Sequence, residues 1–197
     1  MKSYLVKNTQ KKLTVDSGEE KQFVVFLDKT SDYNFSVDLK GDNCYAEILG
    51  LVIADGNEKI NLQTTQHHVK KHTTSNLLVR SLLLDQAIFS FSGLIRIEKE
   101  GNLSDAYQKN ESLLLSPKAK SEAKPYLEIL ARDVRCTHGA TLGTINEEEI
   151  FYLSTRGISE KQAKQLIIEG FFQEVLDKIQ DQQIKNLLIK KIEQKLS

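Results

Sequence analysis

Cysteine is scarce in this 197-residue chain: Cys44 and Cys136 are its two. Two thiols so far apart cannot build a disulfide framework, which suits a reducing compartment. A secretory signal is also missing, because the basic N-terminus MKSYLVKNTQKKL holds an apolar run of only Tyr4 to Val6, too short for a signal core. Nor does any stretch approach the roughly eighteen apolar residues of a membrane helix. The densest, Ile48 to Ala54, is broken by Gly50. Charge of one sign is not in excess either, since 27 Lys and Arg balance 27 Asp and Glu. The expectation is a cytoplasmic protein with neither nucleic acid nor a membrane as its partner.

Several chemical signatures are absent as well. The sequence has no G-x-x-x-x-G-K-[ST] loop and no G-x-G-x-x-G turn, so it lacks the phosphate cradles of P-loop ATPases and dinucleotide-binding folds. It has no G-x-S-x-G elbow and no H-E-x-x-H helix, the most recognisable hydrolase signatures. The expectation is that the protein is not an enzyme.

What is present divides near residue 145, where the apolar period changes. Before it, apolar residues alternate: Phe35, Val37 and Leu39 with polar neighbours, then Phe89, Phe91, Ile95 and Ile97. This is the two-residue period of strands. Similar runs occur at Gln22 to Leu27, Tyr45 to Ala54, Leu77 to Leu84, Asn110 to Leu115 and Tyr126 to Val134. The runs at 45–54 and 77–84 are almost continuously apolar, as in strands buried on both faces. With no helix between strands, a βαβ sheet is excluded, and a sandwich, a barrel or a solenoid remain open. No fixed-period repeat is visible. After 145 the spacing is helical. Asn146 precedes Glu147, Glu148 and Glu149, predicting a helix that stops at Gly157. Ser159 and Gln162 form a capping box for a second helix, with Ala163, Leu166 and Ile167 on one face and Gly170 as its stop. Phe171, Phe172, Val175, Leu176 and Ile179 follow, and a last amphipathic helix carries Ile184, Leu187, Leu188, Ile192 and Leu196. Two units are expected: strands over 1–145 and helices over 146–197.

Two histidine groups invite a metal reading. His67, His68 and His72 are close in sequence, but successive strand residues point to opposite faces, so at most His68 and His72 share one. A polar turn with hydrogen-bonded imidazoles accounts for this cluster better than a metal-dependent enzyme does. Cys136 and His138 are two apart, and on an extended strand they share a face about 6 to 7 Å from each other. They are near enough to flank one metal or cluster, but two ligands do not make a site, and the pattern alone favours the plainer reading of Cys136 as a buried structural thiol.

The segments Asp105-Ala106-Tyr107-Gln108, Leu113-Leu114-Leu115-Ser116, Lys124-Pro125-Tyr126-Leu127-Glu128-Ile129, DVRCTHGAT at 133–141 and FYLSTRGISEKQAKQLIIEGFFQEVLDKI at 151–179 resemble the SufB/SufD family of iron–sulfur cluster assembly proteins. ADGNEKINLQTTQHHVKKHTTSNLLVRSLL at 54–83 and FSGLIRI at 91–97 fit the same family, whereas residues 1–40 match no motif of it. The resemblance implies a right-handed parallel β-helix followed by a short C-terminal helical domain. It further implies a scaffold that pairs with a SufB-like partner or with itself as a homodimer, docks a SufC-type ABC ATPase, and shares a transient iron–sulfur cluster at the subunit interface. His138, with Cys136 beside it, would face that cluster, and Phe171, Phe172, Val175 and Leu176 would contact the ATPase. The alternative within the family is a β-solenoid module that binds the ATPase and no cluster. Asn110 stands where the SufB branch has a cysteine, and Gly139 where that branch has a glutamate after its histidine, so the chain looks like a minimal core of the SufD branch.

Overall fold

A computed structural model describes residues 1–196. Eleven strands precede three helices. The strands are β1 (Lys2–Val6), β2 (Gln10–Val15), β3 (Glu20–Leu27), β4 (Ser31–Leu39), β5 (Tyr45–Ala54) and β6 (Lys59–His68). They continue as β7 (Thr74–Leu83), β8 (Ile88–Ile97), β9 (Ser104–Leu114), β10 (Lys120–Ile129) and β11 (Val134–Thr144). The helices are α1 (Glu147–Thr155), α2 (Glu160–Lys178) and α3 (Gln182–Leu196). Odd strands form one parallel sheet in the order β1-β3-β5-β7-β9-β11, and even strands a second, β10-β8-β6-β4-β2. Each strand pairs with the strand two further on, which is a chain coiling as a β-solenoid.

The coils do repeat, with a period that drifts. Tyr45 lies opposite Thr74, 29 residues on, Thr74 opposite Asp105, 31 on, and Ile88 opposite Lys120, 32 on, whereas Lys2 and Lys21 at the first coil are 19 apart. Turn lengths absorb the differences, and so no fixed spacing is visible in the sequence.

Strands β5 and β7 are buried on both faces, as their apolar runs predict. Their inner residues, including Ile48, Val52, Leu77 and Val79, fill the coil. Their outer residues Leu49, Leu51, Ile53, Leu78 and Leu82 pack against Phe172, Val175, Leu176, Leu188 and Ile192 of α2 and α3. Polar clamps fix the helices in place. Arg80 of β7 donates to Glu111 and to the Phe171 carbonyl, pairs with Glu174, and stacks 4.9 Å from the Phe171 ring. Gln22 donates to the Lys178 carbonyl at 2.7 Å, and Lys195 meets Asp55 and Glu58 at 3.1 and 3.0 Å.

The predicted caps are present at Asn146 and at the Ser159–Gln162 box, and Gly157 takes φ +83° after α1. Gly170, by contrast, stops nothing. Helix α2 runs through it to Lys178, because the apolar face that continues with Phe172 and Val175 holds the backbone helical against the sheet, outweighing the roughly 1 kcal/mol helix cost of a glycine. On the same helix Ala163 is buried but Leu166 faces solvent.

His67 and His68 are on a strand, not in a turn. Strand β6 escapes an apolar-pattern reading because its inward residues change from Ile60 and Leu62 to Thr64, Gln66 and His68. His68 is wholly buried, with Nδ1 2.7 Å from Thr73 Oγ1 and Nε2 2.8 Å from Ser75 Oγ. Burial, with the neighbouring His67 second, lowers its pKa to about 4. An unfolded histidine titrates near 6.5. Below that pH the unfolded chain takes up a proton that the folded chain refuses, so stability falls as pH drops from 6.5 towards 4. Urea denaturation at pH 7 and pH 5 should show a loss from this residue of roughly 2 kcal/mol, and His68→Gln should remove that part of the difference.

Candidate functional site

The last coil has no successor. Strand β11 pairs with β9 and β10 pairs with β8, and among the described residues nothing pairs with their other edges. Register assigns the faces. Cys136 lies beside Ala106, His138 beside Gln108 and Leu142 beside Ser112, all inward residues of β9, so the three face into the coil. On β10, Leu127 and Ile129 lie beside the inward Ile95 and Ile97 of β8. Those two isoleucines are 0% exposed, while Leu127 and Ile129, one coil further on, are 41% and 39% exposed. Leu130 and Leu142 are exposed on the same rim.

The predicted ligand pair therefore does share a face of one strand, at the open end of the solenoid. Cys136 is half-buried against Ile95, Ile97 and Ala106, and burial, with the Asp105 carboxylate second, pushes its thiol pKa up. His138 is exposed. A Cβ added at Gly139 would meet nothing within 4 Å, so packing does not require glycine after this histidine. Among the described residues no three His, Cys, Asp or Glu side chains gather into a metal-binding group. One chain thus brings two side chains of ligand type to the rim, an exposed imidazole and a half-buried thiol. Cys44 is elsewhere, buried in the coil core with its thiol donating to the Gly41 carbonyl at 3.1 Å.

The other histidines separate. His67 points outward between Asp38, 3.4 Å away, and Glu98, 3.0 Å away; His68 points inward; His72 sits in a turn at φ 55°. Three directions leave no shared ligand face.

The four apolar residues expected to contact a partner are placed differently from that expectation. Phe172 and Val175 are 0% exposed, Leu176 is buried and Phe171 is half-buried under Arg80. They hold α2 on the sheet, because the outer faces of β5 and β7 need an apolar cover. The exposed apolar side chains of the helical part include Phe151 and Tyr152 of α1 and Leu166 of α2. Sequence pattern does not single out Phe151 and Tyr152, since a short helix with no buried residue carries no periodic signal.

The geometry defines an open-ended parallel β-solenoid with a helical cover and a cysteine–histidine rim. The family model for the SUF system FeS cluster assembly SufBD core domain matches residues 1–171, so the chain belongs to that family. The match extends over residues 1–40, which carry no recognisable motif of their own. Among curated relatives, iron-sulfur cluster assembly protein SufD of Escherichia coli K12 is 35% identical over 164 residues, 83% of this chain and 39% of that protein. A SufBD family protein of Synechocystis is 33% identical over 77% of this chain and 33% of its own length. SufD of Bacillus subtilis is 30% identical over 82% of this chain and 37% of its own. The chain thus spans well under half the length of these relatives.

Phe172→Ala should leave a cavity under the helical cover and cost about 3 to 5 kcal/mol of unfolding free energy. Urea titration followed by circular dichroism measures it.

Proposed function

We propose that the chain acts as a scaffold subunit in iron–sulfur cluster assembly, pairing through its open coil end with a SufB-like partner or a second copy. The observation that carries this reading is the uncapped last coil, which exposes Leu127, Ile129 and Leu142 around Cys136 and His138. An exposed apolar rim bordered by unpaired strand edges favours a protein partner. A cluster, as cargo, commonly takes about four ligands, and this chain supplies two, so the remainder comes from the partner. His138 is the first ligand because it is exposed and a neutral imidazole binds iron without losing a proton. Cys136 must lose its proton in a half-buried setting, which makes it the weaker or later one. Names of the relatives support the assembly role. The C-terminal helices would dock a SufC-type ATPase, and Phe151 and Tyr152 support that assignment better than the buried Phe172 and Leu176 do.

A second reading, a β-solenoid module without cluster capacity, draws on the same two-ligand count and on the protonated thiol. Reconstitution separates the two. In the assembled complex, iron and sulfide should give visible absorption that His138→Ala lowers several-fold and Cys136→Ala lowers less, while His67→Ala leaves it unchanged. The isolated chain should stay colourless. If His138→Ala has no effect in the complex, the module reading stands instead. For the ATPase, the double change Phe151→Ser and Tyr152→Ser should reduce co-purification at least tenfold with circular dichroism unaltered, since neither side chain is part of the core.

A further inference from the structure

The inside of the coil is not uniformly apolar. Thr64 and Gln66 of β6 face Gln108 and Asn110 of β9 across it, and all four are 5% exposed or less. Most polar groups in this section are paired. Gln66 Nε2 donates to Ser75 Oγ at 2.6 Å and to the Tyr107 carbonyl at 3.2 Å, and Gln108 Nε2 donates to the Gly93 carbonyl at 3.4 Å. Those carbonyls fix which end of each amide is the nitrogen, since a carbonyl can only accept. Among the described residues, four buried side-chain atoms are left without a protein partner: Thr64 Oγ1, Gln66 Oε1, Gln108 Oε1 and Asn110 Oδ1.

All four are oxygens, and they come from one section of the coil. Thr64 and Gln66 are two apart on one strand face, as are Gln108 and Asn110 on the other. The Gln108 side chain lies on Gly93, whose neighbour across the sheet is Thr64; a Cβ at Gly93 would stand 2.3 Å from Gln108 Oε1. A side chain at 93 would push the Gln108 amide from the place it occupies over Gly93. Three amide oxygens and the Thr64 hydroxyl, which can both donate and accept, turn into one interior, and with the glutamine nitrogens already engaged the amide oxygens call for a small donor. None of the four is a carboxylate, so the charge compensation that a buried cation usually needs is missing. The donor that fits is neutral water, which in protein interiors bonds to otherwise unpaired polar groups.

We infer that the coil interior binds a row of ordered water between β6 and β9, at least two molecules, since each has two O–H groups to offer and the three amide oxygens need three. The row lies one cross-strand step from the rim, because Gln108 is the β9 partner of His138. It would keep the inner side of His138 hydrated even when a partner covers the coil end. The inference rests on the orphaned oxygens and stands apart from the cluster-assembly reading.

Oxygen-17 water relaxation dispersion on the full chain tests it. Long-lived internal water should be detected in the wild type, and the double change Gln108→Leu and Asn110→Leu should remove at least half of the amplitude with the strand signal in circular dichroism retained. No dispersion in the wild type, or equal amplitude in the folded variant, overturns the inference. Thr64→Val keeps the shape and deletes one hydroxyl, which provides a reading if the double variant does not fold. A hydrated interior predicts a fall in Tm of a few degrees, whereas an unchanged or raised Tm means a dry interior and overturns it. Tm in potassium chloride and in choline chloride at equal ionic strength should agree; a potassium-specific rise would put a cation in place of water.

Discussion

A strand inside a sheet needs a neighbour on each side, and a chain that coils by pairing each strand with the one two ahead always leaves its last strands with one. The candidate site follows from that constraint. Ile95 and Ile97 are sealed because β10 lies over them; Leu127 and Ile129, the same kind of residue in the same register, are open because, among the described residues, nothing lies over β10. The two free edges of the last coil are protected unequally. Strand β10 carries Lys120, Glu122, Lys124, Pro125 and Glu128, the charges and proline by which natural edges resist pairing. Strand β11 reads VRCTHGATLGT, and its one charge, Arg135, is tied to Asp105. Edge pairing is thus left open on the strand that bears Cys136 and His138.

The helical cover obeys the same economy. Strands β5 and β7 present apolar outer faces and must be covered, and α2 and α3 cover them. The outer face of the other sheet is lined by Asn34, Asn61, Gln63 and Ser92 and is stable in water uncovered. Helix α1 belongs to neither arrangement. It follows β11 after Ile145 and Asn146, has no buried residue, and shows Phe151 and Tyr152 to solvent. The two bare surfaces, rim and helix, are therefore consecutive in the chain, so partners on both would be tied to one short segment.

Legibility in the sequence tracked how local each cause is. Capping at Asn146 and Ser159 depends on residues three or fewer apart and was readable. Double burial of β5 and β7 was readable because an uninterrupted apolar run of strand length puts apolar side chains on both faces of the sheet. Gly170 misled because its local signal to stop is weaker than the packing of Phe172 and Val175, which no local window reports. That same packing made Phe172 and Leu176 look like a surface, since a helix face alone does not say what lies opposite it. Strand β6 was missed as its inward side turns polar at Thr64, Gln66 and His68, and the hydrogen bonds that justify those residues come from β7, β9 and the turn at Thr73. The pairing of Cys136 with His138 on one face was legible from their spacing. Their position at an open end was not, because the inward pattern of the last coil is the same as that of a buried one.

Cys136 and His138 differ by one step along a strand face, and that step divides their chemistry. The thiol sits where β8 and β9 still provide an apolar floor of Ile95, Ile97 and Ala106, and so its proton is held. The imidazole sits beside Gln108, where the floor has become polar. Were the two to serve as ligands, as proposed, the one that requires deprotonation would be held back and the one that does not would be available. In the proposed scaffold, iron arriving at the rim would meet nitrogen first, and the thiolate would form once the metal's charge had lowered the cost of losing the proton. On that reading, burial at one residue and exposure at the next would set an order of ligation that ligand identity alone would leave open.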